Sequence, residues 1–321
     1  MLLATPATYL PFLSGKYSVS PGLKSLEVDF GNGSIDQRIF QIDRDYSRFM
    51  QNKQACRKEG IAKYYHQSDE LAQTLRAINQ SIAQQLVSEY PSYFSYQHSQ
   101  GVSELKNHLR DTVVRWNAQE QLLGNNQYQS AFGALAGQVP EDLAVWQLSD
   151  QRDYLSTIHL CAPNHWAPAE KVGQPFSAIH EPVAGMDKLR GNYRPMLSSL
   201  LQPKTRVRLA WGLSTDDRLN HHPEPPPDWN SEGWMGRSFD TDNPKLFVRV
   251  ERQTLTGFPE VNAVLFTIRT YFTDVRDLVT SERQALIKAL NSMSEATLRY
   301  KGLLNDRDKV AQWLGQNKTG S

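Results

Sequence analysis

Hydrophobic residues recur at helical spacing in the first third of the chain. Five apolar positions follow one another at steps of four, three, four and four residues: Leu71, Leu75, Ile78, Ile82 and Leu86. That spacing predicts an amphipathic helix with Ser68 as its N-cap and an end near residues 90–91. A helix is also predicted from Asp43 to Gly60, where glycine follows a basic last turn, and a further one over about 102–118.

After residue 140 the pattern changes to short segments rich in β-branched and aromatic residues. Five of them predict strands: 141–150, 154–163, 206–213, 245–255 and 262–272. They follow one another too closely for helical crossovers, so the expected sheet is mainly antiparallel. A helix is predicted from about Ser281, which would form a capping box with Gln284, and a second one reaching residues 300–302.

These elements predict an α+β fold, in which helices at both ends of the chain pack around a sheet of about five strands. We expect one domain over residues 1–321, with a mainly helical part (1–135), a sheet core (136–275) and C-terminal helices (276–321). No G-x-G-x-x-G or P-loop motif is present, so a Rossmann or P-loop nucleotide site has no support.

Composition narrows the classes of partner. The 35 basic and 34 acidic residues leave a net charge of +1, which gives no electrostatic reason to expect nucleic acid or an anionic membrane. Two cysteines are too few for a disulfide framework or a four-thiolate metal site. No apolar run approaches the roughly 18 residues of a membrane span, and the N-terminus lacks the positive region of a signal peptide. A soluble, cytoplasmic protein is expected.

The strand predicted over 245–255 carries an unusual charge pattern. Alternation places Arg252 at the end of an apolar row, while Arg249 and Glu251 lie on the other face. A buried guanidinium needs an anion, because an unpaired buried charge is very costly. That anion could be a protein carboxylate or a bound group, and Arg269 on the paired strand is a candidate neighbour.

Three histidines and a cysteine lie within a short stretch: His159, Cys161, His165 and His180. They lack the spacing of a zinc motif. A single histidine that holds haem iron needs no spacing motif, only a neutral imidazole in an apolar slot. His180 fits that description, and it also fits an ordinary loop residue. Cys161 is most simply a small core residue. The pair His221-His222 lies among prolines and is expected to lie in a solvated loop.

Several segments, in order along most of the chain, resemble the haem-dependent oxidative N-demethylase family. The specific parts are the hairpin motif R-V-E-R-Q-T-L and the loop W-x-P-x-x-K-x-G-x-P-x-x-x-I-H-x-P-V, which here begins at Trp166 and contains His180. The resemblance implies a PAS-like fold that binds haem b. It also implies that O₂ and external electrons oxidise a methyl group of a small secondary amine and release formaldehyde.

The resemblance further implies roles for individual residues. His180 is expected to be the axial iron ligand, with Glu251 and Arg252 as catalytic residues. The haem is expected to contact five side chains: Trp166, Lys171, Arg249, Arg252 and Arg269. Electrons would come from a separate reductase or ferredoxin. A PAS-like haem sensor without turnover is the alternative.

The chain also departs from the family pattern. Asn164 and His165 stand before Trp166, where a small residue is expected, and Ala210 replaces an expected asparagine. The proline-rich segment 220–236 is longer than usual. His165 could alter the distal side of a haem, and His165, His159 and Cys161 remain alternative ligands to His180.

Overall fold

A seven-stranded antiparallel sheet organises the chain in the computed structural model, which describes residues 3–31, 35–68, 71–124, 127–149, 152–181, 183–184, 193–227, 229–235 and 238–316. The strands in chain order are β1 (Lys24–Ser25), β2 (Val28–Asp29), β3 (Ile35–Asp36), β4 (Tyr65–Gln67), β5 (Phe94–Ser99), β6 (Val102–Asn107), β7 (Thr112–Asn117), β8 (Asp142–Leu148), β9 (Asp153–His159), β10 (Arg206–Ser214), β11 (Phe247–Phe258) and β12 (Ala263–Asp274). The main sheet has the order β1-β10-β11-β12-β8-β9-β4.

Helices precede, interrupt and follow this sheet. They are α1 (Tyr46–Gly60), α2 (Ala72–Glu89), α3 (Ala131–Ala136), α4 (Phe176–Ile179), α5 (Arg194–Leu200), α6 (Ser231–Trp234), α7 (Thr280–Asn291), α8 (Glu295–Tyr300) and α9 (Arg307–Gln316). Within the described ranges, no helix is long and apolar enough to cross a membrane.

The α+β architecture and all five predicted strands are confirmed, but the strand number is wrong. The short edge strands β1 and β4 raise the sheet to seven strands. Both are too short to give a readable pattern. The helices predicted over 43–60 and 71–90 are confirmed as α1 and α2, although Ser68 does not cap α2; its hydroxyl donates to Ser156 O at 3.1 Å.

Two further predictions about helices are corrected. The segment expected to be a helix over 102–118 forms β6 and β7, which pair with β5 in a separate three-stranded sheet inside the part predicted to be mainly helical. Val114 and Trp116 alternate there as buried residues, so their period of two outweighs the helix-forming residues around them. At α7, Glu282 rather than Gln284 makes the cap, accepting from Val279 N at 2.9 Å.

Strand register divides the side chains of the main sheet between two faces, because directly paired residues of antiparallel strands point to the same side. We define the back face by the pair Arg252 and Arg269, and the front face by the pair Glu251 and Thr270. The back face packs against α1, α2 and α3 at one end and against α7, α8 and α9 at the other. It therefore carries most of the hydrophobic core.

Two buried ion pairs fasten the back face to the segment before α1. Arg252 Nε donates to Asp36 Oδ2 at 2.6 Å, and Arg269 Nη2 donates to both carboxylate oxygens of Asp43 at 2.8 Å. Tyr9 OH donates to the other Asp36 oxygen at 2.7 Å. Both guanidinium groups are fully buried. Each arginine thus has the protein carboxylate that its burial requires.

The front face is covered by the chain between β9 and β10. α4 contacts β9 and α5 contacts β11. The close approach of α5 depends on Gly257, because a Cβ there would lie 2.2 Å from the carbonyl oxygen of Leu200. A β-bulge at Val145 and Trp146 shifts the register of β9 by one residue, so that Asp153, Leu155 and Ile158 all point to the front.

Substituting Asp36→Asn is expected to lower the free energy of unfolding by about 3–5 kcal/mol, because it leaves the buried Arg252 without its counter-charge. Urea denaturation at pH 7 measures the change. Glu295→Gln is the control, since it removes an exposed i,i+4 pair with Arg299 and should change the free energy by about 0.5 kcal/mol or less. A loss below about 1 kcal/mol in Asp36→Asn would contradict the role given to this pair.

Candidate functional site

The front face lies beneath a stretch that we call the cover segment, residues 160–181. Both the N–H groups and the carbonyl groups of its first turn are bound by charged side chains. The Asp142 carboxylate accepts from Cys161 N at 2.8 Å and Ala162 N at 2.7 Å, while Arg249 Nη2 donates to Ala162 O at 2.8 Å and Pro163 O at 3.2 Å. Asp142 and Arg249 are both buried. This turn is therefore fixed by charge-assisted hydrogen bonds.

His221 and Asp216 extend the Arg249 contact. Arg249 Nη1 donates to His221 Nδ1 at 2.8 Å, so the opposite nitrogen, Nε2, donates to Asp216 Oδ1 at 2.8 Å. Burial lowers the pKa of His221, and the charge of Arg249 acts in the same direction. The expectation that His221 and His222 lie in a solvated loop is wrong, because both are buried.

The middle of the cover segment is tied to β9. Gly173 N donates to Leu155 O at 2.8 Å, and Leu155 N donates to Gln174 O at 3.1 Å. The Asp153 carboxylate then accepts from Phe176 N at 2.7 Å and from Tyr193 OH at 2.8 Å. Asp153 thereby fixes the start of α4, the short helix that leads to His180.

His180 is half-buried at the end of α4, with its ring stacked on Phe176 at a centroid distance of 3.9 Å. Its Nδ1 donates to the Phe176 carbonyl oxygen at 2.9 Å, which leaves the lone pair on Nε2. Burial lowers the pKa of His180 to about 4, and the charges of Arg208 and Lys171 act in the same direction. The imidazole is therefore neutral at pH 7 with one nitrogen available as a ligand.

Trp166 and Lys171 support this arrangement in different ways. Trp166 is half-buried and packs with Ile179 against a front-face cluster that includes Ala144 and Ile158. Lys171 Nζ donates to Ile179 O at 3.2 Å. Both residues, predicted as haem contacts, thus lie in the same covered region as His180.

Several polar atoms on the front face are buried without a hydrogen-bond partner. They come from three different strands: Arg208 Nε, Trp146 Nε1 and Thr270 Oγ1. Buried donors are nearly always satisfied in folded proteins, so each of these three could bind a polar ligand. Together with the apolar cover and a neutral histidine, they fit a flat cofactor that has an apolar body and anionic substituents.

The predicted site residues divide between the two faces. Glu251 lies on the front face, half-buried, and its Oε2 accepts from Gln253 Nε2 at 3.0 Å. Arg249 shares that face but binds the turn at residues 162–163. Arg252 and Arg269 lie on the back face and bind Asp36 and Asp43. Of the two alternatives for these arginines, the structure supports protein carboxylates.

The other candidate iron ligands lie elsewhere. His159 and Cys161 are buried and, with Asp142, bring three ligand atoms within 4.8 Å of one another. However, the Asp142 carboxylate already accepts two backbone N–H groups. Burial also raises the pKa of the Cys161 thiol well above its usual range, which disfavours a thiolate ligand. His165 has a left-handed backbone (φ 62°), and its N–H donates to His221 O at 2.9 Å.

Three front-face residues were missed by sequence reasoning: Trp146, Arg208 and Thr270. The signal for Arg208 was available, because Val207, Leu209 and Trp211 form an apolar alternate row that puts Arg208 on the opposite side. Trp146 and Thr270 gave no such signal. Their unsatisfied polar atoms become evident only when the strands are paired.

These features define a candidate ligand site on the covered face of an antiparallel sheet, with a neutral histidine and buried donors that have no protein partner. The family described as haem-dependent oxidative N-demethylase, alpha subunit-like, matches residues 32–311. The chain belongs to that family.

Acid should destabilise the fold through His180. Its folded pKa is below that of an unfolded histidine, about 6.5, so the unfolded state binds more protons between about pH 6.5 and 4. The stability contributed by neutral His180 is full above about pH 6.5 and is lost as the pH falls toward 4, with about 2 kcal/mol lost by pH 5. Urea denaturation of cofactor-free protein at pH 7 and pH 5, for wild type and His180→Asn, measures this.

The difference between the two proteins isolates His180 from other acid-sensitive groups such as His221. Wild type should lose more stability than His180→Asn between pH 7 and pH 5. Equal losses would show that the His180 ring is not kept neutral by its surroundings.

Proposed function

We propose that this chain is a haem-dependent monooxygenase that removes a methyl group from a small secondary amine. The observation that carries the proposal is the state of His180, whose neutral ring is oriented through Nδ1 and leaves Nε2 as a ligand for iron. Membership of the family supports haem as the cofactor. We further propose that the main sheet is PAS-like, that the haem is haem b and that the protein is cytoplasmic.

The bound haem would supply reductive activation of O₂ for oxidation of the N-methyl carbon. In the balanced reaction, a methylated secondary amine, O₂, two electrons and two protons give the primary amine, formaldehyde and water. The two electrons must come from a donor outside this chain, and we propose a separate reductase or ferredoxin as partner.

The chain's own residues would position the reactants. His180 holds the cofactor, and its orientation depends on Phe176 O and, one step further, on Asp153. Trp166 and Ile179 provide an apolar wall that excludes water. Lys171 stabilises the turn that carries His180 by binding Ile179 O. Arg252 and Arg269 do not position the reactants directly. They stabilise the sheet through their back-face ion pairs with Asp36 and Asp43.

Glu251 is our candidate for amine binding. Secondary amines are cationic at neutral pH, and Glu251 presents a half-buried carboxylate on the front face. A carboxylate that accepts a hydrogen bond from an ammonium group gives both charge complementarity and orientation. Gln253 orients Glu251 by donating to Oε2.

Wild-type protein expressed with an adequate haem supply is expected to show a Soret band, and His180→Ala should bind haem on the order of 10-fold or more weakly. Added imidazole should restore the spectrum of this variant, since it replaces the missing ligand in the space left. Haem titration followed by absorption measures both effects. His98→Ala, an exposed histidine on β5, is the matched control.

An unchanged spectrum in His180→Ala would place the ligand elsewhere, with His165, His159 and Cys161 as the next variants. Formaldehyde release from haem-loaded protein, with reductant, O₂ and a panel of N-methylamines, tests the activity. Haem binding without amine-dependent O₂ consumption would indicate the sensor function instead.

Glu251→Gln should raise the KM for the amine by about 10-fold or more while leaving the haem spectrum unchanged, because it removes the charge that pairs with the ammonium group. Steady-state O₂ consumption with varied amine measures it, and Glu295→Gln on the exposed surface of α8 is the control. A KM equal to that of wild type would remove Glu251 from the amine site.

A further inference from the structure

The front face contains a cation that no described residue neutralises. Arg208 lies on β10, directly paired with Gln253, and its Nε is buried without an acceptor. Within the described part of the chain, no hydrogen bond or ion pair reaches its guanidinium group. The back-face arginines differ in this respect, since each binds an aspartate at 2.6–2.8 Å.

The nearest acid does not satisfy Arg208. Glu251 is its diagonal neighbour across β10 and β11, because Glu251 pairs with Ala210, two residues further along. The two charges interact over a distance, but they form no ion pair, and Glu251 Oε2 accepts from Gln253 instead. Burial outweighs this interaction and lowers the pKa of Arg208.

Arg208 is also placed near the candidate iron ligand. It lies on the face of the sheet that the cover segment overlies, and its positive charge contributes to the lowered pKa of His180. Two other cations near the cover segment are already used: Arg249 binds two carbonyl groups, and Lys171 binds Ile179 O. Arg208 thus combines a front-face position with a buried donor that has no acceptor, and both properties suit it to receive an anion from a ligand.

A buried cation without a partner costs stability, and a bound anion would offset that cost. We propose that Arg208 binds a carboxylate of the cofactor, a haem propionate, and so fixes the orientation of the haem on the front face. This assignment rests on the proposed function. Arg208 takes the place of Arg252 and Arg269 among the residues expected to contact the haem, since those two arginines bind Asp36 and Asp43 on the back face.

The experiment titrates cofactor-free protein with haem b and with haem dimethyl ester, whose propionates are blocked. The proteins are wild type, Arg208→Gln, Arg208→Lys and the control Arg76→Gln, an exposed arginine on α2. Arg208→Gln should bind haem b about 10- to 100-fold more weakly than wild type, since it loses a charged hydrogen bond. Wild type and Arg208→Gln should bind the dimethyl ester equally, and Arg208→Lys should recover part of the affinity for haem b.

Stability of the cofactor-free protein provides a second readout. Arg208→Gln should be at least as stable as wild type toward urea, because the substitution removes a half-buried charge whose Nε has no acceptor. A destabilised or unfolded Arg208→Gln protein would assign Arg208 a structural role and overturn the proposal.

The remaining outcomes separate this assignment from the proposed function. If wild type and Arg208→Gln bind haem b equally, haem binding stands and the role of Arg208 falls. An equal loss of affinity for haem b and for its ester would also overturn the carboxylate contact. If wild type binds no haem at all, both the proposed function and this assignment are overturned.

Discussion

The rest of the structure depends on two buried arginine–aspartate pairs. Arg252 and Arg269 are directly opposite each other on neighbouring strands, so two like charges lie side by side in the core. Asp36 and Asp43 neutralise them, and the residues between these aspartates become the strap that joins the sheet to α1. Either arginine without its aspartate would be a buried uncompensated charge, which costs more than the pair gains. Assembly of the N-terminal part and of the sheet is therefore coupled.

The same ion pairs also determine which side chains point to the front face. Glu251 precedes Arg252 on one strand, so fixing the arginine in the core necessarily directs the carboxylate to the opposite side. Two adjacent strands, β10 and β11, thus present Arg208 and Glu251, whereas His180 is carried by a segment without long elements. That segment is held by Asp142, Arg249 and Asp153 through its backbone. Rigid strands and a many-point tether together provide the fixed geometry that a cofactor site requires.

Hydrophobic spacing along the chain correctly predicted the elements whose residues repeat with a helical or a strand period. Steps of three and four gave α2, and alternation in 245–255 correctly separated Glu251 from Arg252. The helix predicted over 102–118 was wrong, because strand pairing with β5 outweighs the helix-forming residues of this segment. Contacts distant in sequence could not be read at all: the partner of Arg252 lies 216 residues away. Burial of His221 likewise follows from contacts with Arg249 and Asp216. The prolines around His221 had instead indicated a solvated loop.

The bulge at Val145 and Trp146 limits which changes of length this chain can accept. Without the extra residue in β9, the alternation before it would be reversed, and Asp153 would point into the helical core instead of toward α4. The residue gained at the bulge is Ser156, whose hydroxyl donates to Val145 O at 2.9 Å. An exposed loop can accept an insertion at small cost, but deleting one residue from β9 would exchange the environments of a carboxylate and a core side chain. The length of a strand, more than the length of any loop, is the constrained quantity here.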